Sequence, residues 1–68
     1  MKIFICGKPE EVTGLRTVND LLRHLRISEE ERGFAVAVNE EIVFRSTWSQ
    51  APINENDRIE IVRATQGG

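Results

Sequence analysis

Few side chains in this sequence could take part in catalysis or bind a metal ion. Cys6 is the only cysteine among the 68 residues, and His24 is the only histidine. A single cysteine cannot form an internal disulfide or a cysteine-based zinc site, and a single histidine cannot supply a His-His metal motif. Cys6 lies near the end of a predicted strand, and His24 lies beside the apolar stripe of a predicted helix. We therefore predict no catalytic side chain and no metal site.

Acidic residues and glycines do not form a catalytic arrangement either. The carboxylates cluster at Glu10-Glu11, Glu29–Glu31 and Glu40-Glu41. All three clusters fall in predicted turns or at strand edges, where water keeps a carboxyl ionised, whereas a catalytic carboxyl with a raised pKa needs burial. The first three glycines are isolated from one another, so they form no phosphate-binding loop. The chain is therefore predicted not to be an enzyme.

The group that could react is the end of the main chain. The sequence finishes with Thr65, Gln66, Gly67 and Gly68. A frayed terminus is the plain interpretation, because glycines order at a high entropic cost and pack nothing. A diglycine end is also what a carboxylate donor needs, because residues without a Cβ can thread a narrow channel and be held through their amides. We predict that residues 64–68 form a flexible tail that enters a partner's active site with the Gly68 carboxylate foremost.

The elements that must carry this tail are one helix and about five short strands, which form a domain of residues 1–63. The strands are predicted at Lys2–Cys6, Glu10–Val12, Phe34–Val38, Ile42–Phe44 and Arg58–Val62. The helix begins at Thr17, whose hydroxyl can cap the first turn. Its apolar residues repeat at the spacing of one helix face: Val18, Leu21, Leu22 and Leu25. A helix packed on one face of a mixed sheet is an α+β fold, in which the last strand can lie parallel to the first.

A glycine tail needs a folded body that a partner can recognise, because glycine offers no side chain to read. Alternation in the third predicted strand directs its valines toward the helix and leaves its alanines on the outer face of the sheet. One valine of the last strand shares that face, and an aromatic residue at the fourth strand adds an anchor of the kind found in interfaces. The predicted docking residues are Ala35, Ala37, Phe44 and Val62.

Charge and hydropathy argue against several classes of partner. The formal net charge is −2 with acidic and basic residues interleaved, so no basic stripe is present to bind a nucleic-acid backbone. The apolar run Ile3–Cys6 is shorter than the roughly 7–15 residues of a signal-peptide core or the roughly 20 of a membrane-spanning helix. The expected location is the cytoplasm, with no nucleic-acid or membrane partner.

Four segments together carry a family resemblance: Thr17–Leu22, Phe34–Val43, Arg45–Trp48 and Asp57–Gly68. They closely resemble the ThiS family, the sulfur carriers of thiamine thiazole synthesis. The resemblance covers nearly the whole chain and implies a β-grasp, ubiquitin-like fold. Two positions depart from the family pattern, and both lie outside the tail. Cys6-Gly7 stands where the first turn commonly has Asn-Gly, the favoured type I′ pair, and the residue after the Ile-Val pair is a phenylalanine where a proline is common.

The resemblance implies that the chain is a protein co-substrate that binds no cofactor of its own. An E1-like, ThiF-type adenylating enzyme would join the Gly68 carboxylate to AMP from ATP, with Mg²⁺ bridging the phosphate oxygens. Sulfur from a persulfide-bearing partner would then displace AMP and give a Gly68 thiocarboxylate. That thiocarboxylate would deliver its sulfur to a ThiG-type thiazole synthase.

Three alternatives remain open on the sequence. The small subunit of molybdopterin synthase shares the fold and the diglycine end, although the short chain and the ending Gln66-Gly67-Gly68 favour the thiamine pathway. The chain could also be a ubiquitin-like modifier joined through Gly68 to lysines. It could finally be a plain interaction domain whose diglycine end has no role.

Overall fold

The computed structural model describes residues 1–63, and the predicted tail at 64–68 lies outside the described residues. The elements are, in chain order, β1 (Lys2–Ile5), β2 (Lys8–Glu11), α1 (Val18–His24), β3 (Phe34–Val38), β4 (Glu41–Val43), a 3₁₀ helix (Arg45–Thr47) and β5 (Arg58–Arg63). The strands form one sheet in the order β2-β1-β5-β3-β4. β1 and β5 are parallel, and the other neighbours are antiparallel. The predicted α+β fold, with a mixed five-stranded sheet and one main helix, is confirmed.

The first hairpin turns earlier than its sequence suggested. Ile5 pairs directly with Lys8, so the loop is Cys6-Gly7 alone, with φ angles of 50° and 85°. Positive φ at both central residues is what a type I′ turn requires, and Cys6 adopts it in the place where the family commonly has asparagine. The predicted start of the second strand at Glu10 is wrong, because β2 begins at Lys8. Pro9 lies inside β2, which is tolerated because β2 is an edge strand with one neighbour.

The second hairpin is shifted by one residue from its prediction. β4 begins at Glu41 and ends at Val43, because the two-residue turn is Asn39-Glu40, with φ angles of 53° and 73°. Phe44 therefore lies after β4 rather than at its end, in an extended conformation ahead of the 3₁₀ helix.

The helix begins where the capping pattern predicts. The Asp20 amide donates to the Thr17 hydroxyl at 3.3 Å, and the Asp20 carboxylate accepts from the Thr17 amide at 3.2 Å, which completes a capping box. The Arg16 amide also donates to this carboxylate at 2.9 Å, and that hydrogen bond lowers the pKa of Asp20 below its usual value. His24 closes the helix as a solvent-exposed residue.

The core lies between the helix and one face of the sheet. The helix contributes Val18, Leu21 and Leu22, each fully buried, with Leu25 partly buried beside them. The sheet supplies the fully buried residues Ile3, Val36 and Ile59. The predicted apolar stripe and the predicted direction of the β3 valines are confirmed. A thin core of this kind suits a chain of 68 residues, in which the buried share of the surface is small.

Trp48 is a buried member of this core. It is 2% exposed, its ring stacks on Phe34 with centroids 5.4 Å apart, and its Nε1 donates to the Val43 carbonyl at 2.9 Å. A buried tryptophan with its N–H satisfied is a packing residue rather than a platform for a ligand. Trp48 is therefore part of the core.

The start of β5 is fixed by a small polar network around the buried Asp57. One carboxylate oxygen accepts from the Asn39 side-chain amide at 3.0 Å, and the other accepts from the Asn54 backbone amide at 2.8 Å. The Asn39 side-chain oxygen in turn accepts from the Arg58 amide at 3.0 Å. These bonds tie the turn before β5 to the β3–β4 hairpin, so that the strand that leads to the tail enters the sheet in one register.

Candidate functional site

The residues predicted to react all follow β5. Gly68, Gly67, Gln66 and Thr65 lie outside the described residues, and their roles stay predictions. The last element among the described residues is β5. β5 lies at the centre of the sheet between β1 and β3, and its final residue is Arg63. The tail is therefore joined to the most enclosed strand of the fold and not to an edge.

The predicted docking face is the side of the sheet away from the helix. Register places Ala35 opposite Val62, and it places Ala37 between Glu60 on β5 and Ile42 on β4. Val62 is 52% exposed and Ala35 is half-buried, so both can be reached from this side. Ala37 shares the face but is only 6% exposed, so a partner would meet little of it.

Two further apolar side chains enlarge this face toward β4. Phe44 is 71% exposed just beyond the strand, as an interface anchor would be. Ile42 is 56% exposed, and the sequence analysis missed it. Alternation along β4 was the signal that could have found it, because Ile42 pairs with the outward-facing Ala37. We call the set of Ala35, Ile42, Phe44 and Val62 the outer patch.

The outer patch adjoins the point where the tail begins. Val62 is the residue before Arg63, and a shallow hollow between β3 and β5 is lined by Gly33, Phe34, Ala35 and Val62. A protein that covered the patch would therefore sit beside the end of β5. Contiguous exposed apolar side chains rimmed by polar ones are typical of a protein-binding surface.

The other candidate groups are dispersed over the described part of the chain. Cys6 is a free, exposed thiol in the first hairpin turn, and His24 lies on the helix surface. Among residues 1–63, no three His, Cys, Asp or Glu side chains come close enough together to hold a metal ion. Within the same residues, no helix has the length and apolar character needed to cross a membrane. The features that remain among the described residues are the exposed outer patch and the central strand β5, which ends at Arg63.

A model of the ThiS family matches residues 3–68. The chain belongs to the ThiS family. Among curated proteins, the sulfur carrier protein ThiS of Escherichia coli is 29% identical over 68 residues, which is the whole of both chains. The resemblance of the sequence to the ThiS-type sulfur carriers of thiamine biosynthesis is confirmed.

A second curated relative is much longer than this chain. It is a thiazole synthase of Paramagnetospirillum magneticum, 37% identical over 68 residues, and this chain spans 20% of its length. In that protein, a region similar to a ThiS family member is thus part of the same polypeptide as the rest of the synthase.

Solved structures of the ThiS family have the same fold. A crystal structure of a thiamine biosynthesis protein (ThiS) from Geobacter metallireducens superposes with a TM-score of 0.83 at 26% identity and full coverage of both chains. The solution structure of a thiamine biosynthesis protein from the same organism gives a TM-score of 0.77 at 27% identity, covering this chain fully and 88% of that one. The β-grasp fold implied by the resemblance is confirmed.

Proposed function

We propose that this chain carries sulfur as a thiocarboxylate on Gly68 and donates it for the formation of the thiazole ring of thiamine. The observation that carries the proposal is the family match, which continues from Ile3 through the diglycine to Gly68. The fold supports it, because the strand that precedes the tail, β5, lies at the centre of the sheet. The chain would then act as a co-substrate of other enzymes.

The proposed chemistry begins with activation of a carboxylate that is otherwise inert to nucleophiles. An oxygen of the Gly68 carboxylate attacks the α-phosphorus of ATP on a ThiF-type enzyme, and pyrophosphate leaves with Mg²⁺ bound to its oxygens. The terminal sulfur of a persulfide on a partner then attacks the acyl carbon and expels AMP. A thiol on a partner cleaves the resulting S–S bond, which leaves the thiocarboxylate on Gly68 and a disulfide on the partners. These steps use ATP, in keeping with the predicted cytoplasmic location.

The proposed acceptor of the sulfur is a ThiG-type thiazole synthase. The Paramagnetospirillum relative supports this, because a protein named thiazole synthase contains a region 37% identical to this whole chain. Joining a donor to its acceptor in one polypeptide raises the effective concentration of one for the other. The separate chain would have to reach the same synthase by docking.

Intact-mass measurement tests the proposal directly. Incubation with the ThiF-type enzyme, ATP, Mg²⁺ and a persulfide donor should raise the mass of the chain by the difference between one sulfur and one oxygen atom. Omitting ATP should leave the mass unchanged, because the carboxylate then has no leaving group. An unchanged mass in the complete mixture would overturn the proposal, and attachment of the chain to lysines would indicate a modifier.

The outer patch is the proposed docking surface for the activating enzyme. Phe44→Glu and Val62→Glu each place a charge on an exposed apolar side chain and should raise the KM of the chain in pyrophosphate exchange by about tenfold or more. The matched control is Thr13→Glu, because exposed Thr13 follows β2 at the opposite edge of the sheet from β4. Circular dichroism should show all three variants folded. Parental KM values for folded Phe44 and Val62 variants would remove the patch from the docking surface.

A further inference from the structure

The side chain of Arg63, which is 55% exposed, makes two contacts at the very end of β5. Its Nη1 lies 2.8 Å from Oε2 of Glu31, and its guanidinium lies 5.9 Å from the centre of the Phe34 ring. Phe34 is also the residue opposite Arg63 in the β3–β5 ladder. Two contacts from a neighbouring loop and strand thus converge on the last described residue before the tail.

Glu31 belongs to a loop that is itself anchored to the core. Arg45 donates from Nη2 to the Glu31 carbonyl at 2.8 Å and from Nη1 to the Glu29 carbonyl. The Arg45 guanidinium in turn lies 4.5 Å from the centre of the ring of Trp48, which is 2% exposed. A planar guanidinium that stacks on an aromatic ring keeps its N–H donors free for such carbonyls. The loop that presents the Glu31 carboxylate is therefore fixed in position.

A short turn adds to this anchoring. The Glu31 amide donates to the Ser28 carbonyl at 3.1 Å, and the Glu30 amide donates to the Ser28 hydroxyl oxygen at 3.1 Å. The backbone around Glu31 is thus held from both of its sides, by the turn that precedes it and by Arg45. A carboxylate on such a backbone can restrain a partner side chain at a lower cost, since the backbone that carries it has already lost its conformational freedom.

We propose that Glu31 is a positioning residue for carboxylate activation, acting through Arg63, and we call the pair the Glu31–Arg63 clasp. The inference rests on the proposed function. The clasp holds Arg63 beside β3, which fixes the point at which β5 ends and the chain continues to the tail. The two glycines that end the tail offer no side chains by which an enzyme could orient the terminal carboxylate, so a fixed starting point at the end of β5 should help to direct it. A fixed departure point lowers the entropy lost when the tail enters a channel.

The clasp should therefore act on KM and leave kcat unchanged, because a tail that has already entered the enzyme presents the same carboxylate. Glu31→Arg and Arg63→Glu should each raise the KM of the chain in pyrophosphate exchange by about threefold to tenfold, the range expected for a partly exposed ion pair with an aromatic contact. Glu31→Arg combined with Arg63→Glu restores the ion pair with its charges exchanged but not the contact with Phe34, so it should bring KM below that of Arg63→Glu alone and toward the parental value. Glu30→Arg and Arg32→Glu make the same charge changes at neighbouring exposed residues and should leave KM at the parental value.

A measurement on the isolated chain separates this inference from the proposed function. The NMR order parameter of the Arg63 backbone amide should fall in each single variant and recover in the double variant. Failure of the double variant to recover KM, or to recover the order parameter, would overturn the clasp. Arg63 would then be recognised by the partner and not held by Glu31. If the parent itself supports no pyrophosphate exchange, the proposed function fails, while the order parameters still decide whether the clasp exists.

Discussion

Removal of Gly68 should abolish pyrophosphate exchange on the ThiF-type enzyme and leave the melting temperature of the chain unchanged. One residue of extended chain spans about 3.3–3.6 Å. The carboxylate of the shortened tail would therefore stop that far short of the position from which the parental carboxylate attacks the α-phosphorus of ATP. Misplacement of a reacting group by about 1 Å can already cost on the order of 100-fold in rate. The rate of pyrophosphate exchange should therefore fall by more than about 100-fold. The melting temperature should not change, because the buried apolar residues of the described structure lie between Ile3 and Ile59.

The matched control is Gln66→Gly, which changes the tail but keeps its length and its terminal carboxylate. It should retain exchange within about tenfold of the parent, since the added freedom of one glycine costs roughly 1 kcal/mol at most. A chain without Gly68 that still exchanged pyrophosphate at the parental rate would show that the tail does not reach the ATP site as proposed. Equal losses in both variants would instead show that the enzyme reads the Gln66 side chain.

The helix and the direction of β3 could be predicted because local pattern decides them. A stripe at helical spacing has one way to face a core, and Thr17 with Asp20 marks the first turn. The first hairpin could not be placed in this way, because Pro9 is a breaker in most settings. Its position within β2 depends on β2 having one neighbour, which is a property of the finished sheet. The position of the first hairpin therefore depends on the order of the strands in the sheet and not on the local sequence.

The candidate site, too, could be predicted from the sequence only in part. Ala35 and Ala37 look equivalent in sequence, but Ala37 is covered by neighbours on both sides, Glu60 and Ile42. Ala35 has a partner on β5 alone, because β4 pairs only with residues 36–38 of β3. Alternation therefore predicted the face but not the exposure. The Glu31–Arg63 pair joins residues 32 positions apart, and no spacing in the sequence indicates it.

Replacement of Leu22 by alanine should destabilise the domain more than any surface change in the helix. Leu22 is fully buried in the core beside Leu21 and Val18, and its loss leaves a cavity that a two-layer fold closes only in part. The cost should be about 2–5 kcal/mol in the free energy of unfolding. Small domains hold roughly 5–15 kcal/mol in total, so the change would consume a large share of the stability. Urea unfolding of the parent and the variant at one temperature measures it.

Two exposed residues of the same helix supply the comparison. His24→Ala removes a solvent-exposed side chain and should change stability by less than about 0.5 kcal/mol. Arg23→Ala should cost below about 1 kcal/mol, because its ion pairs with Asp20 and Glu29 join side chains that water still reaches. The melting temperature of a domain this size moves by about 4–8 °C per kcal/mol, so Leu22→Ala should melt at least about 4 °C below both of them. Equal melting temperatures for all three variants would mean that α1 presents a different face to the sheet, and the tail would then leave a body packed otherwise than described.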